Sequence, residues 1–399
     1  MPDSNVAASD WVTMILKEQL QRGERKRVTG KASRPPKTNL SGANSLYWQQ
    51  PYSERLRGHE RIRSAVRAGA IEAGWSDQGG EDRPLEWIRV RDVDALASVL
   101  GVSTNYDQLE KAEQGLSGFI VEYPRVREVL LAWAELRRVR TLGPDSYASW
   151  RDALLLLKWL RSRSSKDQLL RVVSGNLFGD TKRIEQLLPQ LDVLTGEGIS
   201  SRPRGKWDIL QSLGLVKQPM PFLVAGSGTM LMQTGPACAI ARPFVGLAPS
   251  SIEGFAGTPC WILTIENLTT FHQAAEALEG RADGLVVYTG GMPSPSWAEA
   301  FKRLSTALPP ETVFYHWGDI DLGGFRIAAH LQENAVPKGM ALRPWLMDET
   351  RSGRGVQLNT STHEAMLIAA GRAGWHELHD LPALSMEQER VSIRLPSVI

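Results

Sequence analysis

Three acids of this chain, Glu266, Asp319 and Asp321, are the residues whose type and setting could do chemistry. Each follows an apolar run. WILTIE (261–266) ends in the glutamate and TVFYHWGDID (312–321) ends in Asp-x-Asp, while GLVVYTGG (284–291) between them ends in Gly290-Gly291. Such runs read as buried parallel strands, and in sheets of that kind functional groups gather at the strands' carboxyl ends. Within a strand Asp319 and Asp321 point to one side and Ile320 packs on the other. Carboxylates converging on one crevice repel each other and lose hydration, so keeping them ionised calls for a cation. An all-oxygen ligand set favours Mg²⁺ or Mn²⁺ over zinc. The plainer alternative is that Asp319 and Asp321 cap the next helix and Glu266 is an ordinary strand-end residue.

The elements that must position these acids alternate in the order strand, helix. Helical patterns at 269–278, 296–308 and 323–332 follow the three runs, and βα alternation builds a right-handed parallel sheet. A further strand is expected at 340–346 and a helix at 363–370, and His316, inside the third run, reads as a packed residue.

The strings TIEN, VVYTGG and HWGDIDLGGFRI together resemble a Toprim domain, a family that pairs one Glu with Asp-x-Asp to hold Mg²⁺ for phosphodiester chemistry. More narrowly, LFGDTKRIE (177–185), TIENLTTF (264–271), GDIDLGGFRI (318–327) and the late MEQE (386–389) are similar to the nuclease subunits of Wadjet anti-plasmid systems, the JetD family. That family is similar in turn to the A subunit of topoisomerase VI. The resemblance implies an α/β C-terminal Toprim domain, a parallel sheet flanked by helices, preceded by winged-helix and helical domains. It implies Glu266, Asp319 and Asp321 as catalytic and metal-holding residues, Glu389 as a fourth acidic ligand, and Mg²⁺ (or Mn²⁺) as cofactor. It further implies hydrolysis of double-stranded plasmid DNA in concert with a condensin-like SMC complex, by a homodimer. Many Toprim proteins carry a third Asp where this chain has Gly323, so a second metal would need another ligand.

The rest of the chain reads by composition and period. Its 399 residues, 42% hydrophobic with net charge +2, imply two to four soluble domains in which DNA contacts come from local basic patches. With no signal peptide and no apolar run of about 18 residues, a cytoplasmic protein without membrane attachment is expected. Residues 1–45 read as a basic flexible arm: a helix is expected at 10–21, and 17–37 carries eight Lys/Arg against two Glu, either a phosphate-contacting arm or a solvated linker. Residues 46–105, patterned helix, two strands, helix, suggest a winged-helix-like module, and 106–163 a helical arm.

Residues 164–257 read as a winged-helix DNA-binding domain, with helices at 166–177 and 182–194, a turn at Gly179 and small strands beyond 220, ahead of the nuclease domain at 258–399. Its basic side chains Lys182, Arg183, Arg202, Arg204 and Lys206 could straddle a duplex backbone. The topoisomerase relatives attack DNA with a tyrosine of the corresponding domain, whereas no Tyr lies between 148 and 287 here, which favours attack by water. The rival expectations are a strand-breaking enzyme of the topoisomerase VI A type, recognised by DNA bound covalently to protein, and a non-catalytic DNA-binding adaptor.

Overall fold

The runs that end in acids are strands at the centre of a six-stranded sheet in the computed structural model, which describes residues 10–29, 37–78, 80–163, 167–279 and 281–397. The chain divides into two units, Met1–Asp152 and Ala153–Ile399.

In the first unit α1 (Trp11–Thr29), β1 (Thr38–Asn39), α2 (Tyr52–Arg67), β2 (Ile71–Trp75), β3 (Leu85–Val90) and α3 (Val93–Leu100) surround one core that includes Trp11, Ile15, Ile62, Ile88 and Leu96. The strands form an antiparallel sheet in the order β1-β3-β2. The expected helix–strand–strand–helix pattern is present, joined by two elements that the sequence reading placed elsewhere. The helix expected at 10–21 continues to Thr29 and takes in much of the basic arm, so residues 17–29 are not a flexible segment. Packing explains this: Trp11, Ile15, Leu16 and Leu20 are buried, the fully buried Gln19 accepts a hydrogen bond from the Val90 amide, and Arg27 pairs with Asp94. Residues 30–36 lie outside the described residues. The helices α4 (Asn105–Leu116), α5 (Arg125–Ala134) and α6 (Tyr147–Arg161) fulfil the helical expectation for 106–163.

The second unit, which begins within α6 at Ala153, continues with a mostly helical segment: β4 (Gln168–Leu169), α7 (Leu170–Phe178), α8 (Arg183–Gln186), α9 (Leu188–Thr195), α10 (Lys206–Ser212) and β5 (Leu215–Val216), with β4 and β5 paired in parallel. Gly179 ends α7 in the left-handed conformation, as the expected turn requires. The helix expected at 182–194 is interrupted around Leu187, ahead of Pro189, into α8 and α9.

Then come β6 (Phe222–Gly226), β7 (Thr229–Met232), β8 (Cys238–Ala239), β9 (Val245–Leu247), β10 (Ile252–Ala256), β11 (Trp261–Ile265), α11 (Leu268–Ala277), β12 (Gly284–Tyr288), α12 (Pro295–Thr306), β13 (Val313–Trp317), α13 (Leu322–Asn334), β14 (Leu342–Pro344), β15 (Val356–Gln357), α14 (Thr360–Arg372) and β16 (Leu384–Ser385). The main sheet runs β14-β13-β11-β12-β6-β9, parallel among its first four strands and antiparallel in the last two pairings. It is thus a mixed α/β domain whose sheet is mostly parallel and flanked by helices. Every residue of β11 is buried, as expected of a strand covered on both faces.

A boundary at residue 257 does not match this packing: β6 and β9 belong to the main sheet, while β10, β7 and β8 form a second sheet. Phe222, Val224, Met230, Ile252 and Phe255 share one core with Trp261, Phe271, Phe314 and Trp375. Short Gly/Pro-punctuated runs found their pairing partners far along the chain, which local pattern does not show. No helix of the described residues is long and apolar enough to cross a membrane.

Candidate acidic active site

The register of the sheet brings two of the acids together. Ile265 is level with Tyr288 on β12 and with Trp317 on β13, so all three strands end at one rim. The Glu266 amide donates to the Trp317 carbonyl (3.2 Å), and Glu266 Oε2 accepts from the Asp319 amide (3.2 Å). Gly318 leaves room for this carboxylate: a Cβ there would lie 2.6 Å from Glu266 Oε2 and 3.0 Å from His316 Nε2, so a larger residue would make Glu266 shift. Gly324 is more tightly constrained, since its Cβ would fall 2.1 Å from the Asp319 carbonyl oxygen, a backbone atom.

Asp321 and Asp319 do different things. Asp321 is the N-cap of α13, accepting from the Gly324 amide (2.8 Å), so the plain capping reading holds for this residue. Asp319 instead accepts from the Gln388 amide (2.7 Å). That contact belongs to a docked segment which returns to the rim: Ile320 and Met386 exchange two backbone hydrogen bonds (2.8 and 3.0 Å). Gln388, fully buried, then clasps both strand ends, its Oε1 accepting from the Asn267 amide (2.9 Å) and its Nε2 donating to the Trp317 carbonyl (2.8 Å).

The segment delivers two more acids. Asp319, Glu387 and Glu389 each offer a carboxylate oxygen, and these oxygens all lie within 4.8 Å of one another. Asn267 Nδ2 donates to Glu389. Glu389 therefore lies in a single 3-10 turn, Gln388–Arg390, and Glu387 is the residue that precedes it at the N-cap position. The sequence also gave no sign of Gln388, whose importance lies wholly in its tertiary partners, nor of Asp208 on α10. The field of Asp208 reaches Glu266, and its own carboxyl is raised by burial.

Electrostatics mark the rim as short of positive charge. Burial, then the neighbouring Asp319, pushes Glu266 up to about 8, and burial pushes Asp319 up to about 6 against the hydrogen bond from Gln388. Among the described residues none of Glu266, Asp319, Asp321, Glu387 and Glu389 is paired with a Lys or Arg. The convergent oxygens therefore fit a hard divalent cation such as Mg²⁺ or Mn²⁺. His316 is fully buried, bonded through Nδ1 to Thr264 Oγ1 (2.9 Å) and pushed down to about 3 by burial, which makes it the packed residue that its place in the run suggested.

The five basic residues proposed for DNA do not form one free surface. Arg204 is the clearest departure: its guanidinium is mostly buried, pairs with the buried Asp192 (2.9 Å) and donates to Thr195 Oγ1 (2.7 Å). Charge alone drew it into the set, and the sequence concealed its partner. Lys206 bonds Glu185 (2.7 Å) and Arg202 donates to Asn359 (2.7 Å) and Ser361 (3.1 Å). Lys182 is exposed, and Arg183 lies beside it at the start of α8, donating to Gln186 (3.2 Å).

Fold and site together define a two-unit protein with a mixed α/β domain and an acid cluster at the carboxyl ends of its parallel strands. Comparison with known proteins narrows this. Residues 234–397 match the family model described as Wadjet protein JetD, C-terminal, and residues 10–194 match an N-terminal family of uncharacterised proteins conserved in bacteria, DUF3322. The chain is 24% identical over 376 residues to Wadjet protein JetD of Bacillus cereus (strain Q1), spanning 86% of each chain. The chain is thus similar to JetD proteins along most of its length, in line with the resemblance of its motifs.

Proposed function

We propose that this chain is a metal-dependent DNA endonuclease of a Wadjet-type anti-plasmid system, cutting plasmid DNA as a homodimer together with a condensin-like SMC complex. The observation that carries this reading is the convergence of Asp319, Glu387 and Glu389 beside the buried Glu266, without a basic partner among the described residues. Asp319, Glu387 and Glu389 would hold Mg²⁺ or Mn²⁺, with Glu266 and Asp321 along the same rim. Such an ion, when bound, supplies Lewis acidity that activates water and offsets charge on the phosphate. The chain's own groups do the positioning. Gln388 fixes Asp319 and the turn carrying both late glutamates, while the Asp319 amide ties down Glu266 Oε2 and leaves Oε1 to take up or give a proton.

The Toprim reading is supported by the parallel order of β13, β11 and β12 with a Glu after one strand and Asp-x-Asp after another. A Cβ on Gly323 would stand 3.1 Å from Asp321 Oδ1, so a third Asp there would crowd the second, and the late glutamates supply the added acid instead. The winged-helix readings of 46–105 and 164–257 rest on the helix–strand patterns described above. Covalent attack by tyrosine is disfavoured: Tyr288, in β12, has its phenol pKa raised by burial and then by Glu266, which opposes phenolate formation.

Circular and linear DNA incubated with Mg²⁺, Mn²⁺ or chelator, with and without co-encoded SMC subunits, tests the reading. Cleavage of circular DNA should need metal, leave no protein on the DNA in denaturing gels, and vanish in Asp319→Ala and Glu266→Ala while DNA binding persists. A Glu266→Ala protein that cuts at the wild-type rate would overturn the assignment.

A further inference from the structure

A cavity of about 440 Å³ opens in the same unit where α9, α13 and α14 face the segment 196–204, and four arginines line it: Arg202, Arg204, Arg326 and Arg372. Two are neutralised. Arg204 pairs with Asp192, and Arg372 pairs with both Glu197 and Glu333. The other two are not. The Arg202 guanidinium donates to the neutral oxygens of Asn359 and Ser361, and Arg326 Nη2 donates to the Arg202 carbonyl (3.2 Å). Neither Arg202 nor Arg326 pairs with a carboxylate among the described residues.

Arg326 is half-buried, and burial draws its pKa below the ordinary arginine value, with Glu197 acting the other way. A guanidinium stays charged despite such a shift. Half-burying a cation without a directly paired carboxylate costs free energy, which the more distant charges of Glu197, Asp192 and Asp208 offset only in part, since the net shift is still downward. Planar, forked donors without a carboxylate match the oxygens of a phosphate group.

The pocket's place sets what that phosphate belongs to. Asp321 caps α13 and Arg326 lies five residues further on, a rise of about 7 Å along the axis. Asp208 links the two regions electrostatically, since its carboxyl feels Arg326 and Arg204 as well as Asp321. The arginine pocket therefore lies in the same part of the unit as the acid rim.

We propose that this cavity binds a backbone phosphate of the DNA strand presented to the acidic rim, clamped by Arg326 and Arg202, with Arg326 as a positioning residue. The proposal rests on the endonuclease reading for the identity of its ligand, but its test needs no cleavage. Binding of a fluorescent duplex is measured in chelator across a salt series for wild type, Arg326→Ala and Arg326→Lys, with melting temperature followed in parallel, with and without inorganic phosphate.

Arg326→Ala should weaken binding about 5- to 10-fold at low salt and reduce the slope of log affinity against log salt by about 0.9, the signature of one lost phosphate contact. Its melting temperature should stay level or rise, because a half-buried cation without a paired carboxylate has gone. Arg326→Lys should keep the slope, since the charge remains, and lose roughly 3-fold in affinity with the fork. Unchanged affinity in Arg326→Lys overturns the clamp even where Arg326→Ala does not fold. Unchanged affinity and slope in Arg326→Ala overturn the proposal. So does stabilisation of wild type by inorganic phosphate with no change in the DNA slope, which would assign the pocket to a free phosphate-bearing molecule. A wild-type protein that binds duplex but never cuts it, with metal and partners present, sinks the endonuclease reading alone.

Discussion

Glu266 carries a charge that the folded protein disfavours, and this gives a measurable sign. Its carboxyl is pushed up to about 8 from 4.5, so between those values the folded protein holds a proton that the unfolded chain has released. Its contribution to stability is complete below about 4.5 and is lost as pH rises through about 8. Asp319 behaves likewise between 3.8 and about 6. His316, pushed down from 6.5 to about 3, works oppositely: its contribution is complete above 6.5 and is lost as pH falls toward 3. The interval from 6.5 to 8 is therefore governed by Glu266. In chelator the melting temperature should fall across it, and Glu266→Gln should flatten that fall; a wild-type curve already flat there would refute the electrostatic strain. Arginines divide in the same way. Arg204→Ala should destabilise by about 3 kcal/mol, because it removes the guanidinium paired with the buried Asp192 carboxylate. Lys182→Ala, at an exposed site, should leave melting unchanged and weaken DNA binding. Calorimetry and binding on the two variants separate these roles. Glu266, Asp319 and Asp321 were legible because each closes an apolar run. Asp208 was not, because it lies in a different part of the chain from the motif it approaches.

At the scale of elements, the docked turn at 386–390 is what makes the acids a site. Gln388→Ala would orphan the Asn267 amide and leave the Trp317 carbonyl with the Glu266 amide alone, which should cost about 1–3 kcal/mol and loosen Glu387 and Glu389 together. Protease nicking near 386–390 should quicken, and the Mn²⁺ concentration needed to stabilise the protein should rise several-fold. Nicking and metal dependence equal to wild type would show that the turn holds itself. The βα pattern at 261–334 could be read ahead of the structure because long apolar runs and helical periods alternate without interruption. Observed helices at Leu268–Ala277, Pro295–Thr306 and Leu322–Asn334 lie within two residues of the expected ends. The strands between 222 and 256 were harder: their assignment to two different sheets is decided by partners that lie elsewhere in the sequence. The basic segment 17–29 misled because charge density suggests solvation, whereas its helix is fixed by the apolar face it shares with Trp11 and Ile15.

At the scale of the whole molecule, the described acids of the rim all belong to the second unit, so a divalent cation should stabilise that unit selectively. Scanning calorimetry of the full chain should show Mg²⁺ or Mn²⁺ raising the transition of Ala153–Ile399, and Asp319→Ala should abolish the rise. A shift confined to the other unit would place the ion elsewhere. The clasp at Gln388 has a temporal consequence. A chain growing on the ribosome acquires Glu266 and Asp319 first and reaches Glu387 some seventy residues later, several seconds at ordinary elongation rates. Throughout that interval the nascent protein has its sheet acids without the turn that completes them. The acid cluster of the rim is therefore assembled late, only when synthesis of the docked segment is done.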